Sequence, residues 1–394
     1  MSLLQLAAAE AVARLGEFDA IIDCRSEGEF ALDHLPRARN WPSLSDAERH
    51  LVGTIHAETG AFDAHKRGAA LVSANIARHL EAHLSDLPRN WRPLVYCWRG
   101  GKRSGSLALV LSQIGFNVCV IDGGYKAFRA AMVADLPRAV QRLSFRVICG
   151  PTGSGKTRLL SALADAGAQV LDLEALASHR SSVLGLIPGQ PQPTQKRFDT
   201  LVWTALESMD QAREVFVESE SKKVGNLAVP DALMTAMRAS ACFDLHLDDA
   251  ERVALLLEDY RFFVDEPELF CERLGALTAL RGHDVVQSWQ QQVRAGQTNE
   301  VVRELLATHY DPGYLQSMRR NFVQFNASET IAPEDRSASA MGRLAQEILA
   351  EVELRRGPPD AAANRASLAG QVGRGELGEP ASPATASPPA GFDS

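Results

Sequence analysis

The sequence predicts an α/β protein: two parallel-sheet units in tandem, then a helical C-terminal region. Three observations carry this expectation. Short apolar runs of strand length alternate with longer stretches whose apolar residues recur at helical spacing, the pattern of a parallel sheet. Two of those runs, Leu94–Tyr96 and Phe145–Cys149, end in glycine-rich loops that open a helix. Beyond Ala250 the strand-like runs stop and helical spacing takes over. At 394 residues the chain has room for two or three cores.

In chain order, MSLLQLAAAEAVARLGEFDA lacks a basic leader and meets Glu10 early, so it reads as a domain's first helix and not as a signal peptide. Ala20–Cys24 is a strand, followed by SEGEFALDHLPRARNWP, a loop rich in turn signals. Leu71, Val72, Ile76, Leu80 and Leu84 mark one helix face. The strand at Leu94 runs into Cys97, a helix starts at Ser104, and Val118–Ile121 with the Gly123–Gly124 turn gives another strand and helix. These form the first unit, residues 1–138. The second, 139–249, holds strands at Phe145–Cys149, Gln169–Leu173, Glu214–Glu218 and Cys242–Leu247. Residues 250–356 form helices packed on it. Residues 357–394, rich in Pro, Ala, Gly and Ser, read as a disordered tail.

Composition narrows the function classes. The net charge of -8 shows none of the basic surplus usual in nucleic-acid binders, so RNA contact would need a local patch. No stretch approaches the ~18 uninterrupted apolar residues of a membrane helix, and the expected setting is a cytoplasmic monomer. Six cysteines contain no C-x-x-C pair. Cys24, Cys119, Cys149 and Cys242 fall in strand-like runs and read as core residues. Cys97 is different.

Around Cys97, residues Trp98, Arg99, Gly100, Gly101, Lys102, Arg103 and Ser104 supply two glycines, three cations and a helix N-terminus. Cations, converging amides and the helix dipole all favour thiolate over thiol. The same loop suits a tetrahedral oxyanion. The second glycine loop, GPTGSGKT, fits G-x-x-x-x-G-K-[ST] with a strand before it and a helix after it. Amides around Gly150, Thr152, Gly153, Ser154 and Gly155 would close on a diphosphate, Lys156 adds charge, and Thr157 would hold magnesium where that ion is used. Asp172, Glu218 and Glu220, at or just past strand ends, are candidates to orient a metal ion or water. Tyr260, Arg261, Tyr310, Tyr314, Arg319, Arg320 and Phe322 are candidates for stacking and phosphate contact with RNA.

AIIDCRSEGEF, DHLPRARNWP, YCWRGGKRS and DGGYKAFR, in that order, resemble a rhodanese domain. Followed by GPTGSGKT, LDLEALASHRSS, VESES and HYDPGY, the whole resembles the bacterial tRNA 2-selenouridine synthases over residues 15–325. The family's usual His-Arg-Gly-Ser reads His179-Arg180-Ser181-Ser182 here, and the resemblance makes His179 and Arg180 substrate contacts. It implies replacement of the sulfur of wobble 2-thiouridine in tRNA by selenium, with S-alkylation from geranyl diphosphate first and selenation from selenophosphate second. No permanent cofactor is implied. In that scheme the GPTGSGKT loop clamps the departing diphosphate, and Cys97 thiolate attacks the selenium of selenophosphate while its loop holds the phosphate.

Three other readings stay open. Cys97 to Arg103 is C-x5-R, the signature of cysteine phosphatases, although Tyr96 stands where those carry histidine and no aspartic general acid is identifiable. A nucleotide-hydrolysing sulfurtransferase would carry persulfide on Cys97. A pair of regulatory binding modules would turn over no thiolated tRNA.

Overall fold

The computed structural model describes residues 2–99, 101–180 and 189–356. Gly100, the Ser181–Ser182 pair and the tail expected to be disordered lie outside the described residues.

The first part is built as β1 (Ser2–Leu6), α1 (Ala8–Ala13), β2 (Ala20–Asp23), α2 (Glu27–Leu32), β3 (Ala38–Asn40), α3 (Asp46–Glu58), α4 (Ala61–His83), β4 (Pro93–Tyr96), α5 (Lys102–Ile114), β5 (Asn117–Ile121) and α6 (Gly124–Gln141). Its strands form one sheet in the order β1-β5-β4-β2-β3, every neighbour parallel. The expected N-terminal helix begins as a strand: β1 pairs with β5 in the register Leu3↔Val118, and only α1 is helical. Leu3 and Leu4 stay 46% and 47% exposed at this sheet edge, so no buried run advertises the strand. The stretch expected to be a loop contains α2 and β3. Ser26 and Glu29 start α2 as a capping box, the Ser26 N–H donating to Glu29 Oε2 at 3.2 Å.

The second part follows as β6 (Ser144–Cys149), α7 (Lys156–Asp165), β7 (Gln169–Leu171), α8 (Leu173–Ala177), α9 (Gln195–Glu207), β8 (Glu214–Glu218), the hairpin β9 (Lys223–Val224) and β10 (Leu227–Ala228), α10 (Asp231–Ala239) and β11 (Ala241–Leu245). Helices α11 (Asp249–Asp259), α12 (Arg261–Asp265), α13 (Pro267–Gly275), α14 (Thr278–Arg281), α15 (His283–Arg294), α16 (Thr298–Leu305) and α17 (Asp311–Asn321) come next, with a π-helical turn, Leu306–Tyr310, between the last two. Strand β12 (Glu329–Ile331) and helix α18 (Ala338–Arg356) complete the order. The second sheet is also parallel throughout, β12-β11-β6-β8-β7. The C-terminal segment is therefore helical except for one strand, which returns to extend the sheet beside β11. Among the described residues no helix is long and apolar enough to cross a membrane.

One apolar core runs through both sheets. Helix α6 buries Phe128, Met132, Leu136, Ala139 and Val140, and the same cluster continues through Phe145 and Val147 of β6 to Phe198, Val202 and Trp203 of α9. Each large side chain so buried contributes about 1.5–3 kcal/mol. Cys24, Cys119, Cys149 and Cys242 are all buried, as expected of core residues.

At the carboxyl end of the first sheet lies a buried ion pair. Arg25 Nη2 meets Asp23 Oδ2 at 2.6 Å with the two side chains 2% and 0% exposed, and the Tyr96 hydroxyl donates to the same carboxylate oxygen at 2.7 Å. The Arg25 guanidinium also lies 3.9 Å from the Tyr125 ring centroid. Asp23→Asn keeps the shape but leaves this buried cation without its carboxylate. It should cost about 3–5 kcal/mol of stability, read as a lower urea midpoint.

Candidate functional site

Cys97 follows β4, whose four residues are all buried, and sits at the carboxyl edge of a parallel sheet, where such folds place ligands. The first turn of α6 holds the loop from behind: Tyr125 N–H donates to Cys97 C=O at 2.8 Å and Lys126 N–H to Trp98 C=O at 3.0 Å. Trp98 stacks on Tyr125 with centroids 5.5 Å apart. Helix α5 begins at Lys102, two residues earlier than the apolar spacing indicates. Ser104, fully buried, donates its hydroxyl to Cys97 Sγ at 3.1 Å.

Burial pushes the Cys97 thiol up, but the Ser104 hydroxyl, the N–H groups of Ser104 and Gly101 and the Arg103 charge together bring it below the ordinary thiol value. The sequence expectation gave equal weight to three cations. Arg99 and Lys102 are exposed at the loop surface, whereas Arg103 is held by Glu29 Oε2 at 3.0 Å and its carbonyl accepts from Ser43 Oγ at 3.2 Å. The downward shift thus rests on a hydroxyl, two amides and one anchored guanidinium. Cys97 is only 3% exposed, so the sulfur sits at the floor of the loop. Neighbouring Cys24 is pushed well up by burial and then by the charge of Cys97, and stays a thiol. Glu29, Ser43 and Cys24 escape sequence reasoning because they come from distant segments.

The second glycine loop joins β6 to α7. Gly150 has φ 151°, and a Cβ there would fall 2.4 Å from Ser154 Oγ and 2.7 Å from Leu245 O, so only glycine fits. Lys156 Nζ donates to Gly150 O at 2.8 Å and to Pro151 O at 3.3 Å. Tyr314 of α17 accepts from Gly150 N–H at 2.5 Å. Arg252 of α11 donates to Thr152 O at 2.9 Å while paired to Asp311 at 2.6 Å.

Three carboxylates gather beside Thr157. Glu174, Glu218 and Glu220 bring oxygens within 4.8 Å of one another, and Thr157 Oγ1 donates to Glu174 Oε2 at 3.3 Å. Burial raises Glu218 well above the usual carboxylate range, with the Glu174 charge adding to it. Glu218 Oε1 is buried with no hydrogen-bond partner among the described residues. Crowded carboxylates with an orphaned oxygen fit a hard divalent cation, to which these three residues and Thr157 would supply oxygen ligands. Glu174 is absent from the sequence candidates, although it stands two residues beyond Asp172. Asp172 itself lies just past β7 and caps α8, accepting from Ala175 N–H at 2.8 Å.

These groups line one cavity of about 780 Å³. It brings together Thr152, Gly153, Gly155, Lys156, Thr157, Asp172, His179, Arg180, Glu218 and Glu220, with Tyr260, Tyr310, Tyr314 and Phe322 on the helical side. Gly150 and Ser154 stand behind the lining. His179 is held below the usual histidine value by burial. Arg180 hydrogen-bonds the Asp259 carbonyl and lies 5.0 Å from the Tyr260 ring centroid. Arg261, Arg319 and Arg320 are exposed outside the cavity. Among the described residues, none of the Cys97 loop lines it, so the two glycine loops form separate candidate sites.

The family model for the AAA domain of tRNA 2-selenouridine synthase matches residues 143–284, and a rhodanese-like domain model matches residues 7–131. Proteins bearing the name tRNA 2-selenouridine synthase are similar over much of the chain. The one from Nitrosomonas europaea is 32% identical over 77% of this chain and 90% of its own length, and that from Alcanivorax borkumensis is 30% identical over 78% and 92%. The one from Marinobacter nauticus is 35% identical over 61% of this chain and 65% of its own. With both domain models in sequence and relatives matched over nine-tenths of their length, the chain belongs to the tRNA 2-selenouridine synthase family.

Proposed function

We propose that the protein is a tRNA-modifying transferase that converts wobble 2-thiouridine to 2-selenouridine through an S-geranyl intermediate, using geranyl diphosphate and selenophosphate. The observation that supports this most is the pairing, in one chain, of a cysteine whose thiol pKa is lowered by a hydroxyl, loop amides and Arg103 with a separate glycine loop that opens a helix at Lys156.

In the first step the thiocarbonyl sulfur of the base attacks C1 of the geranyl group, a C–S bond forms, and the C–O bond to diphosphate breaks. The protein's work is to stabilise the leaving diphosphate, through the loop amides and Lys156. Lys156 must leave its contacts on Gly150 and Pro151 to do so. A divalent cation held by Glu174, Glu218, Glu220 and Thr157 would neutralise further charge on the diphosphate. Arg180 and the cavity's aromatic residues would hold the base.

In the second step selenophosphate occupies the Cys97 loop. Electron counting decides which atom the sulfur attacks. Attack on selenium, the expectation from sequence, would leave phosphorus reduced as phosphite. Attack on phosphorus instead breaks the P–Se bond with both electrons on selenium, which leaves as selenide, and water later frees phosphate from the cysteinyl thiophosphate. The selenide then attacks C2 of the alkylated base and expels geranylthiolate. The C-x5-R spacing that suggested a phosphatase serves this chemistry equally well.

The decisive experiment incubates 2-thiouridine tRNA with the protein and each donor, separately and together, and follows nucleosides by mass spectrometry and phosphorus by NMR. Geranyl diphosphate alone should give the S-geranyl nucleoside, both donors the selenonucleoside with phosphate; phosphite as product would return the attack to selenium. Cys97→Ser should abolish selenation and leave geranylation largely intact. Lys156→Ala should slow geranyl transfer by roughly 10²–10³, and an unchanged rate would remove the cradle from that step. Selenation should rise with pH through the Cys97 titration and then level off. Ser104→Ala removes a hydrogen bond that favours thiolate, so the same rise should move to higher pH, as should the pH profile of iodoacetamide labelling.

A further inference from the structure

Beside the phosphate cavity runs a second, narrower hollow between α11, α12, α13 and α16. Its walls include Leu256, Leu257, Phe263, Val302, Leu305 and Leu306. Thr152, Leu256, Tyr260 and Tyr310 line both hollows, so the two are contiguous. They meet at the phosphate loop. A Cβ on Gly153 would lie 3.0 Å from Cγ and Cδ1 of Leu256, which therefore packs directly on the cradle. A ligand with its anionic head on the loop amides has an apolar channel next to it.

The chemistry of that channel selects the group that the phosphates carry. A nucleoside would bring ring nitrogens and ribose hydroxyls, each needing a polar partner once removed from water. Apart from Thr152, Thr298 and two tyrosines, the walls are hydrocarbon. An isoprenoid chain needs only such walls. The geometry points to this slot as the seat of the apolar chain of a prenyl diphosphate, with Val302 and Leu306, which border the slot and not the phosphate cavity, limiting the chain length accepted. The inference rests on the geranyl transfer proposed above. Val302 is half-buried and followed by exposed Arg303 and Glu304, and it packs at the edge of the apolar cluster that holds Phe263, Phe270 and Leu305.

The test compares wild type, Val302→Trp and Val302→Ala as full-length chains, with 2-thiouridine tRNA and dimethylallyl, geranyl or farnesyl diphosphate. Melting temperature and inhibition by inorganic pyrophosphate report on folding and on the cradle. Filling the slot should raise KM for geranyl diphosphate by about tenfold or more, the scale on which apolar pockets discriminate, while KM for the dimethylallyl donor and inhibition by pyrophosphate stay close to wild type. Val302→Ala should gain transfer from the farnesyl donor, and this arm decides should the tryptophan variant fail to fold. Wild-type transfer with both variants indifferent to chain length overturns the slot alone. Wild type that transfers no prenyl group from any donor overturns the reaction beneath it. ATP binding that is tighter than that of geranyl diphosphate and is lost in Val302→Trp would give the slot to a nucleoside instead.

Discussion

A chain of buried polar contacts fixes the geometry on which the Cys97 loop depends. Asp23 takes hydrogen bonds from Arg25 and Tyr96, and Arg25 lies against the Tyr125 ring. Tyr125 donates its hydroxyl to Asp33 at 2.6 Å, and Asp33 accepts from Thr200 of α9 at 3.1 Å. These residues span β2, β4, the first turn of α6 and, through Thr200, the second part of the chain. Buried polar groups tolerate little displacement, because each lost partner exposes a desolvation cost. The backbone amides of Tyr125 and Lys126 that hold the Cys97 and Trp98 carbonyls are therefore set by contacts reaching as far as α9.

The two loops solve the same problem differently. The first lowers the pKa of its own thiol, in a nearly buried position where burial alone would raise it. The second has its first amide on Tyr314 and its lysine folded onto two loop carbonyls, and under the proposed role its charge would come with a ligand. The difference appears in their neighbours. Around Cys97 the donors are already committed to the sulfur, whereas Ser154 Oγ and Glu218 Oε1 in the second site are buried without partners among the described residues.

Local chemistry was legible in the sequence wherever it is contiguous. The strands at Leu94 and Phe145, the glycine loops after them and the acid ending β8 lie where the spacing puts them. Contacts made from afar were not legible. Glu29 and Ser43 reach the Cys97 loop from 60 or more residues away, and Tyr314 reaches Gly150 across 164. Strand β1 escapes notice because Leu3 and Leu4 lie half-exposed at an edge. Strand β12 was missed because three residues between helices carry no period. Glu174 was passed over because an acid in a helix's first turn is ordinary in itself; only the fold sets it against Glu218 and Glu220.

The tyrosine on α17 gives the cradle a further property. Its hydroxyl already occupies the first amide of the loop, and the lysine is folded over two of the loop's own carbonyls. An anion that took that amide would have to displace the phenol. Under the proposed diphosphate role, that exchange would tie the loop to a helix more than 160 residues away in sequence.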